Sequence, residues 1–142
     1  MTDGQTKIFD FYLLFPFFLP AVRLNTELRA RLKRLTNWTE KRPYGELPSP
    51  ETIYRSMQPI QDASMQTLVA KGILDSVAFK RGEIQRTATP LRETLELRIA
   101  SLNSSEKELL DFLVQMVRAF RFEGLDGLKH RTNLAEYRYD HV

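Results

Sequence analysis

Apolar residues in this chain gather in one dense block near the N-terminus and then recur at helical spacing, with a single short stretch of alternation between. The block runs from Ile8 to Leu14. Phe9, Phe11, Tyr12, Leu13 and Leu14 make it a buried helix of about two turns. It should end at or just before Phe15-Pro16, because the residue preceding a proline is held out of the α region. A second apolar piece, Phe17-Phe18-Leu19-Pro20, follows. Asn25 or Thr26 caps the next helix, which runs to about Trp38 with Leu28, Leu32 and Leu35 as a narrow stripe and Arg29, Arg31, Lys33 and Arg34 covering the other side. Residues 39–50, with Pro43, Gly45, Pro48 and Pro50, form a loop.

The next forty residues set the expected fold. Ser49-Pro50 opens a helix, with serine as cap and proline in the first turn, and Ile53 and Met57 face inward. Pro59 breaks this helix and starts another, which is how a helix-turn-helix over about 50–74 is built. In the second helix Met65, Leu68, Val69 and Gly72 keep the helical period, and Gly72 sits where a glycine past the helix end belongs. Val77 and Phe79 then alternate with polar residues, Arg81-Gly82 makes a tight turn and Ile84 starts a second short strand, which gives a wing over about 76–88. Thr89-Pro90 repeats the cap-and-proline device, and Leu91, Leu95, Ile99 and Leu102 form a stripe on the helix it opens. Asn103-Ser104 separate that helix from another, for which Ser105-Glu106-Lys107-Glu108 reads as a capping box. Leu109, Leu113, Met116, Val117 and Phe120 line one face of this last long helix, and Gly124 and Gly127 end it. The C-terminal helices thus span about 90–121, and in the tail 122–142 the stretch Leu134 to Tyr139 is expected to add a short closing strand. The expected architecture is mainly α with a small β-ribbon, a single winged-helix domain over 1–142 with additional C-terminal helices.

Composition narrows the function classes. A chain of 142 residues supports one domain with one core, and its 42% hydrophobic and 27% charged fractions are those of an ordinary globular protein. The absence of cysteine excludes disulfides, thiol nucleophiles and thiolate metal sites, and it fits a cytoplasmic protein. The apolar run Phe11 to Val22 has no basic flank or cleavage site, is too short to span a bilayer and is broken by Pro16 and Pro20, so it is expected to form core with no membrane role.

The chemistry expected of an enzyme is sparse. His130 and His141 are the only histidines, and both lie in the tail. Gly124-Leu125-Asp126-Gly127 lacks the lysine and the preceding strand of a phosphate loop, and there is no Gly-x-Ser-x-Gly elbow. Asp126 with Lys129 reads as two solvated charges, while Glu106, Glu108 and Asp111 suit a helix start. The chain is therefore expected to be non-catalytic, with no cofactor, metal or small-molecule substrate.

The net charge of +3 permits a nucleic-acid partner without requiring one. The second helix of the helix-turn-helix would expose Gln61, Asp62, Ser64, Gln66, Thr67 and Lys71, of which only Lys71 is basic, whereas groove readers usually carry more cationic support. Better phosphate contacts are Lys80, Arg81 and Arg86 in the wing and Arg29, Arg31, Lys33 and Arg34 in the basic helix. The same cations suit an acidic protein surface equally well. The aromatic block holds more aromatic surface than a small domain usually buries, so Phe9, Phe11, Tyr12, Phe15, Phe17 and Phe18 are expected to supply core and part of a partner interface.

Ile8-Phe9-Asp10-Phe11-Tyr12-Leu13-Leu14-Phe15-Pro16 resembles the "I-x-D-F-Y-x-L-F-P" block of small middle-component proteins of bacterial ABC-three-component systems, which include the Lamassu type of anti-phage defence. The tail Asn133 to Asp140 is similar to the end of such proteins. The resemblance implies a non-catalytic adaptor between an SMC-like coiled-coil ATPase and an effector, often a nuclease, with double-stranded DNA as a further partner for the basic residues. The alternative is a stand-alone winged-helix transcription regulator, dimeric through the helix from Ser105 to Phe120, with Lys80, Arg81 and Arg86 on phosphates. The thin charge on its recognition helix ranks it second.

Overall fold

A computed structural model of the protein describes residues 1–40 and 42–134, and they are mainly helical. Helix α1 (Asp3–Leu14) starts at a capping box: the Thr2 hydroxyl accepts from the Gln5 amide at 3.1 Å and the Gln5 side chain accepts from the Thr2 amide at 2.9 Å. It stops short of Pro16, and a 3₁₀ helix, Pro16–Ala21, turns the chain. Asn25 caps α2 (Thr26–Leu32) through a 2.8 Å bond from the Leu28 amide. Then come α3 (Thr36–Thr39), α4 (Pro50–Ala70), α5 (Ser76–Lys80), α6 (Glu93–Ser105), α7 (Lys107–Ala119) and α8 (Leu128–Thr132).

The core is built on α1 and α7, which run antiparallel. Near the start of α1, the Gln5 amide nitrogen donates to the Val117 carbonyl, late in α7, at 3.1 Å. At the other end, Trp38 of α3 donates its indole N–H to the Glu106 carboxylate, just before α7, at 2.5 Å. Between these ends Ile8, Phe11 and Tyr12 of α1 meet Leu109, Phe112, Leu113, Met116 and Val117, all buried. Leu19, Val22, Leu28, Leu32, Tyr54 and Leu128 close the shell. Every fourth or third residue of α7 contributes, the spacing that puts side chains on one helix face.

The helix-turn-helix and the wing are corrected by the structure. Pro59 lies inside one continuous helix, α4, with no break. Proline costs one backbone bond, but Tyr54 before it and Gln61 and Met65 after it are all buried, so tertiary packing carries the helix through. At its end Gly72, with φ +73°, closes a Schellman motif in which the Ile73 amide reaches the Leu68 carbonyl at 2.9 Å. The stretch expected to be the first wing strand is α5. Two alternating residues cannot distinguish a strand from one helical turn, and Asp75 decides by accepting from the Ala78 amide at 2.8 Å, a helix cap. Among the described residues β-pairing is confined to two isolated antiparallel bridges, Leu74 with Arg86 and Thr2 with Glu83. Gly82 ends α5 at positive φ rather than turning a hairpin.

Other boundaries moved: the helix expected to reach Trp38 ends at Leu32 with α3 separate, and Thr89-Pro90 opens no helix, since α6 starts at Glu93 after Arg92 with no side-chain cap. The Ser105 box does not form, because α6 runs through to Ser105 and the break falls at Glu106, whose carboxylate is engaged by Trp38. Helix α7 stops at Ala119, where Phe120 turns extended, before either glycine. All of the expected closing strand but Leu134, most of the Asn133–Asp140 resemblance, and His141 lie outside the described residues.

The joint between α1 and α4 is polar. Lys7, 8% exposed, places its ammonium 2.6 Å from Asp62 and 3.2 Å from Asp3. Beside it the buried Gln61 donates to Asp10 at 2.9 Å and to the Lys7 carbonyl at 3.2 Å. Burial pulls the Lys7 pKa down, but Asp62 and Asp3 together outweigh it and hold the ammonium above its ordinary range. A raised folded-state pKa means that this stabilisation is complete below the unfolded value of ~10.4 and is lost as pH rises through the folded one. Lys7→Met is therefore expected to unfold at lower urea than the native chain near neutral pH, with the gap narrowing above about pH 10.4. A gap that stays constant with pH would show that the ion pair adds nothing.

Candidate protein-interaction surface

The aromatic block separates by residue. Phe11 and Tyr12, 0% and 2% exposed, belong to the core share of the block and present no surface in this fold. Burial also drives the Tyr12 phenol well above its ordinary pKa, so it stays neutral. Phe9, Phe15 and Phe18 are half-buried and pack against the core. Phe17 is also half-buried, but it lies outside that packing; its ring sits 4.7 Å from that of Phe18 and 6.1 Å from that of Phe15. Leu14, 58% exposed, and Pro20 extend the same segment to solvent. Around the turn at Pro16 one short segment thus leaves an apolar ledge, made of exposed Leu14 and half-buried Phe17, whose ring lies beside Phe15 and Phe18. Leu14 was missed in the sequence because helical spacing alone placed it in the block.

The basic residues are not equally available. Arg29 is committed to the fold: its guanidinium donates to the Pro20 carbonyl at 2.9 Å and to that of Val22, tying α2 to the 3₁₀ helix. Arg31 is half-buried, while Lys33 and Arg34 are exposed. Lys80 is exposed, Arg81 lies 3.9 Å from Glu83 and Arg86 donates to the Thr89 carbonyl at 3.2 Å. The second group is paired to the start of α1, with the Asp3 amide on the Gly82 carbonyl and the Ile84 amide on that of Met1, each at 2.8 Å. Gln61 and Asp62, expected to face a groove, are spent on α1. The alternative of a groove-reading helix therefore loses its two leading polar residues.

One cation that the sequence gave no reason to single out organises the C-terminal turn. Arg131 lies 3.9 Å above the Phe120 ring and donates to the Asp126 and Arg23 carbonyls at 2.6 and 2.8 Å. Among the described residues no cluster of three or more His, Cys, Asp or Glu could hold a metal, and no helix is long and apolar enough to cross a membrane.

The family model described as "ABC-three component (ABC-3C) system Middle Component 5" matches residues 1–140. The chain belongs to this family. No curated protein and no solved structure matches it. As an ABC-3C middle component it works in a multi-component system, which implies protein partners. For such a component exposed apolar surface deserves more weight than isolated charges, because apolar burial drives association while surface charges are screened. Both the Ile8–Pro16 block and the Asn133–Asp140 tail fall inside the matched span.

Proposed function

We propose that this ABC-3C middle component is a non-catalytic adaptor of the Lamassu type. It acts in the cytoplasm and joins an SMC-like coiled-coil ATPase to a nuclease-type effector. Lys33, Arg34 and Lys80, exposed in the fold, are the residues best placed to touch double-stranded DNA held by such a complex. The observation that carries the reading is the ledge at Leu14 and Phe17: a middle component presents apolar side chains beside a rigid aromatic floor. Rigid aromatics at an edge of a packed core are what interface anchors look like, since little side-chain freedom is lost on docking.

The test is co-purification of the native system through a tag on this chain, compared with the double variant Leu14→Gln, Phe17→Gln. The native chain should recover an ATPase and an effector in fixed ratio. The double variant should keep its helical circular dichroism and lose at least one of them. Full recovery with the double variant removes the ledge from the proposal, and recovery of the native chain by itself removes the adaptor.

A further inference from the structure

Among the described residues, helix α6 is the one long helix that buries nothing: each of its residues is exposed, including Leu95 at 43%, Leu97 at 64%, Ile99 at 38% and Leu102 at 45%. A helix of this length is marginal in water without packing, and Arg92 starts it with no side-chain cap. At about 100° per residue, Leu95, Ile99 and Leu102 fall within an arc of about 60°. Leu95 of that stripe also lines a groove between the start of α6 and the chain just past α4, where its apolar neighbours are Ile73, Pro90 and Leu91. Its charged lining residues are Lys71, Arg92 and Arg98, with no carboxylate among them. None of these three cations has an ion-pair partner among the described residues.

We infer that this groove and the α6 stripe receive an acidic amphipathic helix from a protein partner. The inference rests on the adaptor reading and adds a second surface to the ledge at Leu14 and Phe17. An apolar row beside three unneutralised cations is complementary to leucines flanked by glutamates or aspartates, and to little else. A second copy of this chain would bring its own Lys71, Arg92 and Arg98 to the same place, where like charges repel. A nucleic acid would satisfy the cations but leave the leucine stripe in water. The partner helix needs about three to four turns to match the roughly 20 Å of α6.

Zero-length carbodiimide crosslinking of the native assembled complex reads the contact directly, because it joins the Lys71 amine only to a carboxylate within touching distance. The expected product links Lys71 to an Asp or Glu in a helical segment of another component. The double variant Arg92→Glu, Arg98→Glu should weaken retention of that same component about tenfold or more, while the component lost through the Leu14, Phe17 variant stays bound. An intact complex with no Lys71 crosslink, with a crosslink only to another copy of this chain, or with nuclease-sensitive protection of Lys71 overturns the groove and leaves the adaptor standing. A native chain that purifies without partners overturns both.

Discussion

Phe11→Ala is expected to cost about 3–5 kcal/mol of unfolding free energy, the range for emptying a fully buried aromatic site. Phe11 is wholly buried, and its ring meets four others: Tyr12 at 4.9 Å and Tyr54 at 5.7 Å edge-on, Phe15 at 5.4 Å tilted and Phe18 at 5.9 Å stacked. Those rings belong to α1, α4 and the 3₁₀ helix, so one deletion loosens three elements at once. Domains of this size hold roughly 5–15 kcal/mol in all, and the variant should populate unfolded chain at moderate urea. Urea titration followed by tryptophan fluorescence checks it. A loss near that of an exposed residue, about 0.5 kcal/mol or less, would mean that the ring is not the hub its contacts make it. The comparison also protects the interface argument: loss of partners in Phe11→Ala reports unfolding, whereas loss in the Leu14, Phe17 variant reports surface.

Gly127→Ala should be the most damaging single-methyl change in the molecule. A β-carbon there would stand 2.3 Å from the Glu123 carbonyl oxygen, 2.6 Å from its carbon and 2.7 Å from the Phe122 oxygen. All three are backbone atoms, so no side chain can swing aside. The turn they form is held by the Leu128 and Lys129 amides on the Arg121 and Phe122 carbonyls at 2.6 and 3.0 Å. Relief requires opening that turn, which unseats the fully buried Leu128 and the Arg131 guanidinium on Phe120. Overpacking of this kind costs about 1–3 kcal/mol. The expected result is a lower melting temperature with faster amide exchange at Leu128 and Lys129. An unchanged melt would show that the turn has slack its geometry does not suggest.

Much of the helical framework was readable from single residues. Ser49-Pro50, Asn25 and Gly72 each act through local backbone chemistry, and each sits where the sequence placed it. The α7 face was readable because Leu109, Leu113, Met116 and Val117 repeat at one period, although Phe112 was missed and Phe120 lies past the helix end. The winged helix was not sound, because it depended on Pro59 overriding a helix that burial sustains and on a two-residue alternation that Asp75 converts to a turn of helix. Sites fared differently from elements. The aromatic block was visible, but which of its rings face outward depends on the turn at Pro16, and the commitment of Arg29 to two carbonyls depends on the same turn. The α6 stripe was visible as a stripe, but periodicity reports that a helix is two-sided and says nothing about whether a neighbour arrives.

Pro59 has a mechanical meaning as well. Without an N–H it cannot bond the Arg55 carbonyl, so α4 carries one missing rung part-way along. Tyr54 anchors the helix to the core on one side of that rung, and Lys71 and Ile73 sit past its far end at the groove. Gln61 and Asp62, bound to α1 on the groove side of that rung, take up any pull applied at the groove before it reaches the weakened section and Tyr54.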